Sequence, residues 1–153
     1  MDDLVLRLWR SFRGVSQWYV LWFLHDKFMV GVSGVIEDKE GRVLLLHHRF
    51  WREGSWGLPG GYANKGEKLE ETVRREVREE TGYEVEVKGL IQVVSGYRLR
   101  VEASYRGKFV GGVERLDKRE ILEARFFKRD SLPIGILPSH RELIRLAFAE
   151  EDK

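Results

Sequence analysis

The chain has 153 residues, with 27 Lys and Arg against 25 Asp and Glu, a formal charge of +2 at pH 7. That length suits one domain with a sizeable core, and the near balance of charge calls for no polyanionic partner such as nucleic acid. With no cysteine, disulfide scaffolds, thiolate zinc sites and cysteine nucleophiles are excluded.

The amino-terminal segment places Leu4, Val5, Leu8, Trp9 and Phe12 on one helical face, with Arg7, Arg10 and Arg13 elsewhere and Gly14 as a stop. A second apolar run, Trp18 to Leu24, reads as another helix, although its length and aromatics also permit a strand. It is too short to span a bilayer, and Met1-Asp2-Asp3 lacks the basic start of a secretory signal, so a cytoplasmic location is expected. Residues 1–27 thus form a helical extension, expected to pack on its own domain or within a homodimer rather than on a membrane.

A domain over residues 28–153 follows. Phe28–Ile36 reads as a strand, Asp38–Gly41 as a turn and Val43–Leu46 as a buried strand. A loop with Trp51 and Trp56 leads into Gly57-Leu58-Pro59-Gly60-Gly61. Lys68–Thr81 has helical periodicity and stops at Gly82. Strand-like stretches come next at Val85–Val94, Tyr97–Tyr105, Lys108–Val113 and Ala124–Lys128, with Arg106-Gly107 as a hairpin turn. A last helix starts near Ser139. The fold class is therefore α/β, a sandwich with a mixed sheet.

On the helix at 68–81, Leu69, Val73 and Val77 form the apolar stripe. Glu76 and Glu80 fall in the same sector and Glu79 beside it, while Glu71, Arg74 and Arg78 point away. Carboxylates at i, i+3 and i+4 on a buried face are costly unless a partner compensates them. A hard divalent cation, magnesium or alternatively manganese, would do so; a surface helix with Glu–Arg pairs is the plainer reading.

Gly61, Glu67, Arg75-Glu76-Val77, Glu79-Glu80, Gly82 and Tyr83 fit the pattern G-x5-E-x7-R-E-U-x-E-E-x-G-U, with an aromatic in the last aliphatic place. All the fixed positions match, which chance would give on the order of once in 10⁸ windows or less. The chain thus resembles the Nudix hydrolases, from about Phe28 to Phe148. The resemblance implies an α/β/α sandwich and a metal-dependent enzyme that cleaves a pyrophosphate bond. Its implied metal ligands are Glu76, Glu79 and Glu80, with Glu67 assisting or holding the box loop. Arg75 would orient the carboxylates, and Gly60 and Gly61 would turn the loop and let backbone amides approach the pyrophosphate. The general base would be either a box glutamate or one from a later loop, where Glu114, Glu120 and Glu123 are candidates, Glu120 first among them because Glu120–Phe127 resembles the family's late strand; Glu120 could equally pair with a surface cation.

Arg49 and Arg52 are candidates to hold phosphate, and Trp51, Trp56 or Tyr62 to stack on a base or sugar. One of His47 and His48 should face the cleft. Arg98, Arg100, Arg106 and Lys108 read as a basic hairpin, either gripping phosphate or protecting a solvated strand edge. The implied substrate is a nucleoside diphosphate linked to another moiety, such as a nucleotide-sugar or ADP-ribose, with a nucleoside triphosphate as the alternative. The missing proline after the box counts against ADP-ribose. A nucleotide-sensing module without catalysis would tend to lose box carboxylates, and this chain keeps them.

Overall fold

The computed structural model describes residues 3–11, 14–96 and 99–149. Phe12, Arg13 and Arg98, and the side chains of Leu4 and Leu8, lie outside the described residues. Two helices come first, α1 (Asp3–Ser11) and α2 (Val15–Leu24). Helix α2 is apolar all round and buries none of its residues. The Gln17 amide donates to the Trp9 carbonyl at 2.9 Å, joining the two helices. Among the described residues no helix is long and apolar enough to cross a membrane.

The sheet begins with β1 (Met29–Glu37) and β2 (Val43–His48). Both read as continuous apolar runs because both faces are covered. Val32, Ile36, Leu44 and Leu46 face one core, shared with Val73 and Val77 of α3 (Leu69–Thr81). Val35, Val43 and Leu45 face the other, shared with Leu143, Ile144 and Phe148 at α4 (Pro138–Ala147). The expected α/β sandwich is therefore what forms. Gly34 lies under α3, where a Cβ would come within 2.9 Å of Val73.

Strands β1 and β2 pair at Glu37–Val43 and then splay. The segment 56–62 fills the split: β3 (Trp56–Gly57) pairs with β2, β4 (Gly60–Tyr62) pairs with β1, and Gly34 N–H donates to the Pro59 carbonyl between them. The sequence suggested only a loop there. The other edge of β2 carries β7 (Ile121–Phe127).

One expectation is corrected. Arg106-Gly107 is no hairpin turn: β6 (Arg100–Gly112) runs straight through it, parallel to β1 on one side and antiparallel to β5 (Tyr83–Gly96) on the other. Gly107 is needed for close packing, since a Cβ there would meet Ile36 Cδ1 at 2.9 Å and the Glu86 carbonyl at 3.0 Å. Nor do these cations fringe an edge strand. Arg106 binds buried Glu37 at 2.9 Å and stacks on Phe148, and Lys108 approaches Glu37 at 3.8 Å.

Candidate active site

Helix α3 needs no side-chain cap. It starts at Lys68, in extended conformation, and ends at Gly82, whose φ of 76° is the left-handed cap that glycine adopts without strain. Its phase sets the charges. Glu80 is only 6% exposed, Glu76 lies half-buried beside it, and Glu79 is open to solvent at 60%. Arg74, Arg78 and Glu71 face out and pair along the surface, as the periodicity requires.

Arg75 ties this helix to the loop before it. Its Nε and Nη2 donate to Glu67 at 2.9 and 3.2 Å, its Nη1 to Glu76 at 2.7 Å and Glu79 at 3.2 Å, and its Nη2 also to the Tyr62 carbonyl at 2.9 Å. Glu67 further accepts from Asn64 N–H at 3.0 Å and the Thr72 hydroxyl at 2.9 Å. The Arg75 bonds, with those from Asn64 and Thr72, draw the Glu67 carboxyl down to about 2. These bonds fasten the box loop to the helix.

Glu80 is in the opposite situation. Its carboxylate accepts from Gly60 N–H at 3.2 Å. Burial first, and then the neighbouring charge of Glu76, push its pKa well above the usual range. Burial raises Glu76 too, against the pull of Arg75. Gly60 and Gly61 make room for this cluster: a Cβ at Gly60 would strike the Val32 carbonyl, and one at Gly61 the Glu76 carboxylate. Neither glycine has a positive φ; both are extended in β4, so close approach rather than turning explains them.

The loop after β6 is laced to the end of α3, with Arg115 N–H on the Thr81 carbonyl at 2.7 Å and Asp117 N–H on that of Glu80 at 3.1 Å. It brings Glu120 to a groove shared with Glu76, Glu79 and Glu80. The other two loop candidates are engaged elsewhere. Glu114 accepts from the Tyr83 hydroxyl at 2.7 Å, and Glu123 pairs with Arg125. Tyr83 fills its aliphatic place in the box by packing edge-on against Phe109 at 5.1 Å. Burial, then Glu114, raises its phenol to about 12.

Across the Gly60–Gly61 wall lies a second cleft, on the α4 side of the sheet. Ser33, His48, Trp51, Tyr62, Arg100, Glu102, Ser139 and His140 line it. Trp51 stacks on His48 with centroids 4.9 Å apart and meets His140 edge-on at 5.9 Å. The His140 Nδ1 accepts from Leu58 N–H at 2.9 Å, and burial lowers its pKa to about 4. Arg100 lies over the Tyr62 ring at 5.1 Å and binds Glu102 at 2.8 Å. Of the two histidines on β2, His48 faces the cleft and His47 packs near Trp56 at 5.5 Å.

The substrate candidates divide. Tyr62 and Trp51 line the cleft. Trp56 does not: its ring meets Phe127 edge-on at 5.0 Å and packs against the α4-side core, because β3 directs it inward beside β2. Arg49 is exposed and donates to the Lys118 carbonyl at 3.0 Å, close to the Glu120 loop, and Arg52 is exposed on the turn before β3. Arg100 was offered only within a basic hairpin, and Glu102, Ser139 and His140 were not singled out at all. They come from β6 and α4, far apart in sequence, and no local spacing announces them.

A NUDIX domain family model matches residues 27–147. The chain belongs to the Nudix hydrolase family. It is 36% identical over 134 residues to an ADP-ribose pyrophosphatase of Methanocaldococcus jannaschii, covering 80% of this chain and 73% of that one. To a NAD-capped RNA hydrolase, NudC, of Enterobacter it is 32% identical over 63% of this chain, and that match spans only 38% of the relative. Among solved structures, a MutT Nudix hydrolase from Burkholderia pseudomallei superposes with a TM-score of 0.69 at 29% identity, covering 79% of this chain and 98% of that one.

Within this Nudix fold the box carboxylates are gathered, but among the described residues no three acidic or histidine side chains already stand in ligand geometry around one point. Their chemistry fits a hard divalent cation: oxygen donors only, one of them buried and one half-buried, and like charges that raise one another's pKa.

Proposed function

We propose that this Nudix hydrolase is a magnesium-dependent pyrophosphohydrolase, manganese being the alternative ion, that cleaves a nucleoside diphosphate linked to another moiety. The observation that carries the reading is Glu80, a buried carboxylate crowded by Glu76 and facing Glu79 and Glu120, with no cationic side chain bonded to it among the described residues. Glu76, Glu79 and Glu80 would hold the ion, which supplies positive charge against the phosphates and Lewis-acid activation of water. Arg75 holds Glu76 and Glu79 in place, and Glu67 holds Arg75 and the loop. Glu120, open to the groove, accepts the proton of the attacking water.

The polar cleft takes the nucleoside. Tyr62 and Trp51 offer ring faces, and Arg100 and Glu102 offer a charged donor and acceptor. Arg49 and Arg52, both exposed, would meet outlying phosphate or the leaving group. The names of the relatives favour a linked diphosphate over a triphosphate. A cytoplasmic setting accords with the cysteine-free composition. Chromatographic detection of the nucleoside monophosphate formed from a panel of ADP-ribose, NADH, nucleotide-sugars and nucleoside triphosphates, each with Mg²⁺ and with excess EDTA, tests the reading. Linked diphosphates should turn over with metal alone; full activity in EDTA would overturn it.

The protein is further proposed to be a homodimer. Trp18, Tyr19, Trp22 and Phe23 each leave about half or more of a large ring in water. Leu21, Leu24, Phe28 and Met29, also exposed, would add to the apolar area such an interface buries, ~800 Å² per partner in a standard case.

A further inference from the structure

His48 lies between the two halves of the site. It lines the nucleoside cleft, and its Nε2 stands 3.7 Å from the Glu120 carboxylate in the acidic groove. A β-bulge puts it there: the pairing of β2 with β7 slips between His47 and His48, so that His47 faces Glu123 and His48 faces Ile121. Bulges re-aim single side chains beside active sites, and here the slip turns one of two adjacent histidines towards Glu120. The ring is fixed from the side by Trp51, stacked 24° from parallel.

The Glu120 side chain needs such a partner. It is 53% exposed, and it faces Glu76, Glu79 and Glu80, all of its own charge. Repulsion alone would turn it out into solvent. Its neighbour in sequence, Arg119, is forked onto Asp117, at 2.6 Å from Nη2 and 3.0 Å from Nε. The His48 Nδ1 is buried without a hydrogen-bond partner among the described residues. Placing the ring proton on Nε2 therefore points the donor at the carboxylate, which favours that tautomer. A separation of 3.7 Å is longer than a hydrogen bond, as catalytic contacts often are before substrate tightens them.

We infer that His48 is a positioning residue that holds the Glu120 carboxylate towards the box glutamates, coupling the nucleoside cleft to the acidic groove. The inference rests on the role proposed above for Glu120. When a nucleoside enters beside Trp51 and His48, the ring is pressed towards Glu120, so occupancy of one half of the site sets the geometry of the other.

Steady-state kinetics with Mg²⁺ and ADP-ribose, or the panel nucleotide that the wild type cleaves faster, tests it. His48→Phe keeps an aromatic ring against Trp51 and removes the donor; kcat should fall about tenfold with KM little changed. His48→Gln restores an N–H donor and should recover much of the loss. In the Glu120→Gln background, His48→Phe should cost little more. Equal loss in both His48 variants, or a rise in KM with kcat intact, overturns the inference while leaving Glu120 in its role. Unchanged turnover by Glu120→Gln would overturn both.

Discussion

Helices α2 and α3 break the ordinary rule of placement in opposite directions. Helix α3 carries a glutamate into the core, with Glu80 at 6% exposure, whereas α2 holds a phenylalanine in water, with Phe23 at 81%. Neither placement is stable by its own contacts, and each points to a partner of definite chemistry: a cation for buried carboxylates, apolar surface for exposed rings. The difference teaches how to read such exceptions. A buried charge locates chemistry, because its position is fixed by the surrounding core. An exposed apolar helix locates an interface and says little of the reaction.

The largest effect should come from breaking the α3 side. Glu79→Gln and Glu80→Gln should each lower kcat by about 10²–10⁴-fold while leaving the fold intact. In EDTA, Glu80→Gln should also melt higher than wild type, by roughly 2–4 °C per kcal/mol relieved. The gain should be larger at pH 8 than at pH 5. A carboxyl whose pKa is raised by folding weakens the fold as it ionises, and Gln cannot ionise. Near-normal turnover in both variants would end the metal-site reading. A lower melting temperature for Glu80→Gln in EDTA would mean that the chain already compensates the charge.

Breaking the α2 side should leave chemistry alone. Trp22→Glu or Phe23→Glu should convert a dimer to a monomer in sedimentation velocity, with kcat within about twofold of wild type. A wild type that sediments as a monomer at tens of micromolar would refute the homodimer. Flotation of wild type with vesicles would assign the apolar face to a membrane surface instead.

His140 sharpens the contrast, being a buried polar group already satisfied by its own chain. Its Nδ1 accepts from Leu58 N–H, and its pKa is lowered from 6.5 to about 4. The unfolded chain binds this proton first, so stability should fall as the pH drops from about 6.5 to 4, by at most on the order of 3 kcal/mol. His140→Asn keeps an acceptor without a titration, and its denaturant midpoint should vary less across that window. An unchanged slope would show that His140 does not set it.

What the sequence disclosed follows the same division. The box helix was legible to within a residue at its start, because its apolar stripe and Gly82 are local signals. The charged phase of Glu76, Glu79 and Glu80 came from the same wheel. Strand β6 was misread because Arg106-Gly107 has the composition of a turn. The reason for that glycine, Ile36 of β1 and Glu86 of β5, lies on neighbouring strands. Trp56 stood beside Trp51 and Tyr62 as a candidate to stack on substrate, since a tryptophan in a loop carries no mark of which side of a later-formed strand it will face. Glu102, Ser139 and His140 were hidden for a similar reason: they meet Arg100 and the rest of the cleft only when the sheet is complete.

The parallel ladder between β1 and β6 sets a timetable for the nascent chain. Ser33 and Ser104, whose hydroxyls meet across it at 2.9 Å, are 71 residues apart. At 5–20 residues per second, a ribosome takes roughly 4–14 s to make that stretch, far longer than a helix needs to form. Helix α3 and the β1–β2 turn can therefore form while β1 still lacks β6. Through that interval one edge of β1 and the rings of α2 are exposed together, a few residues apart. The moment of greatest exposure to aggregation, and to chaperone capture, thus falls before residue 108 has left the exit tunnel.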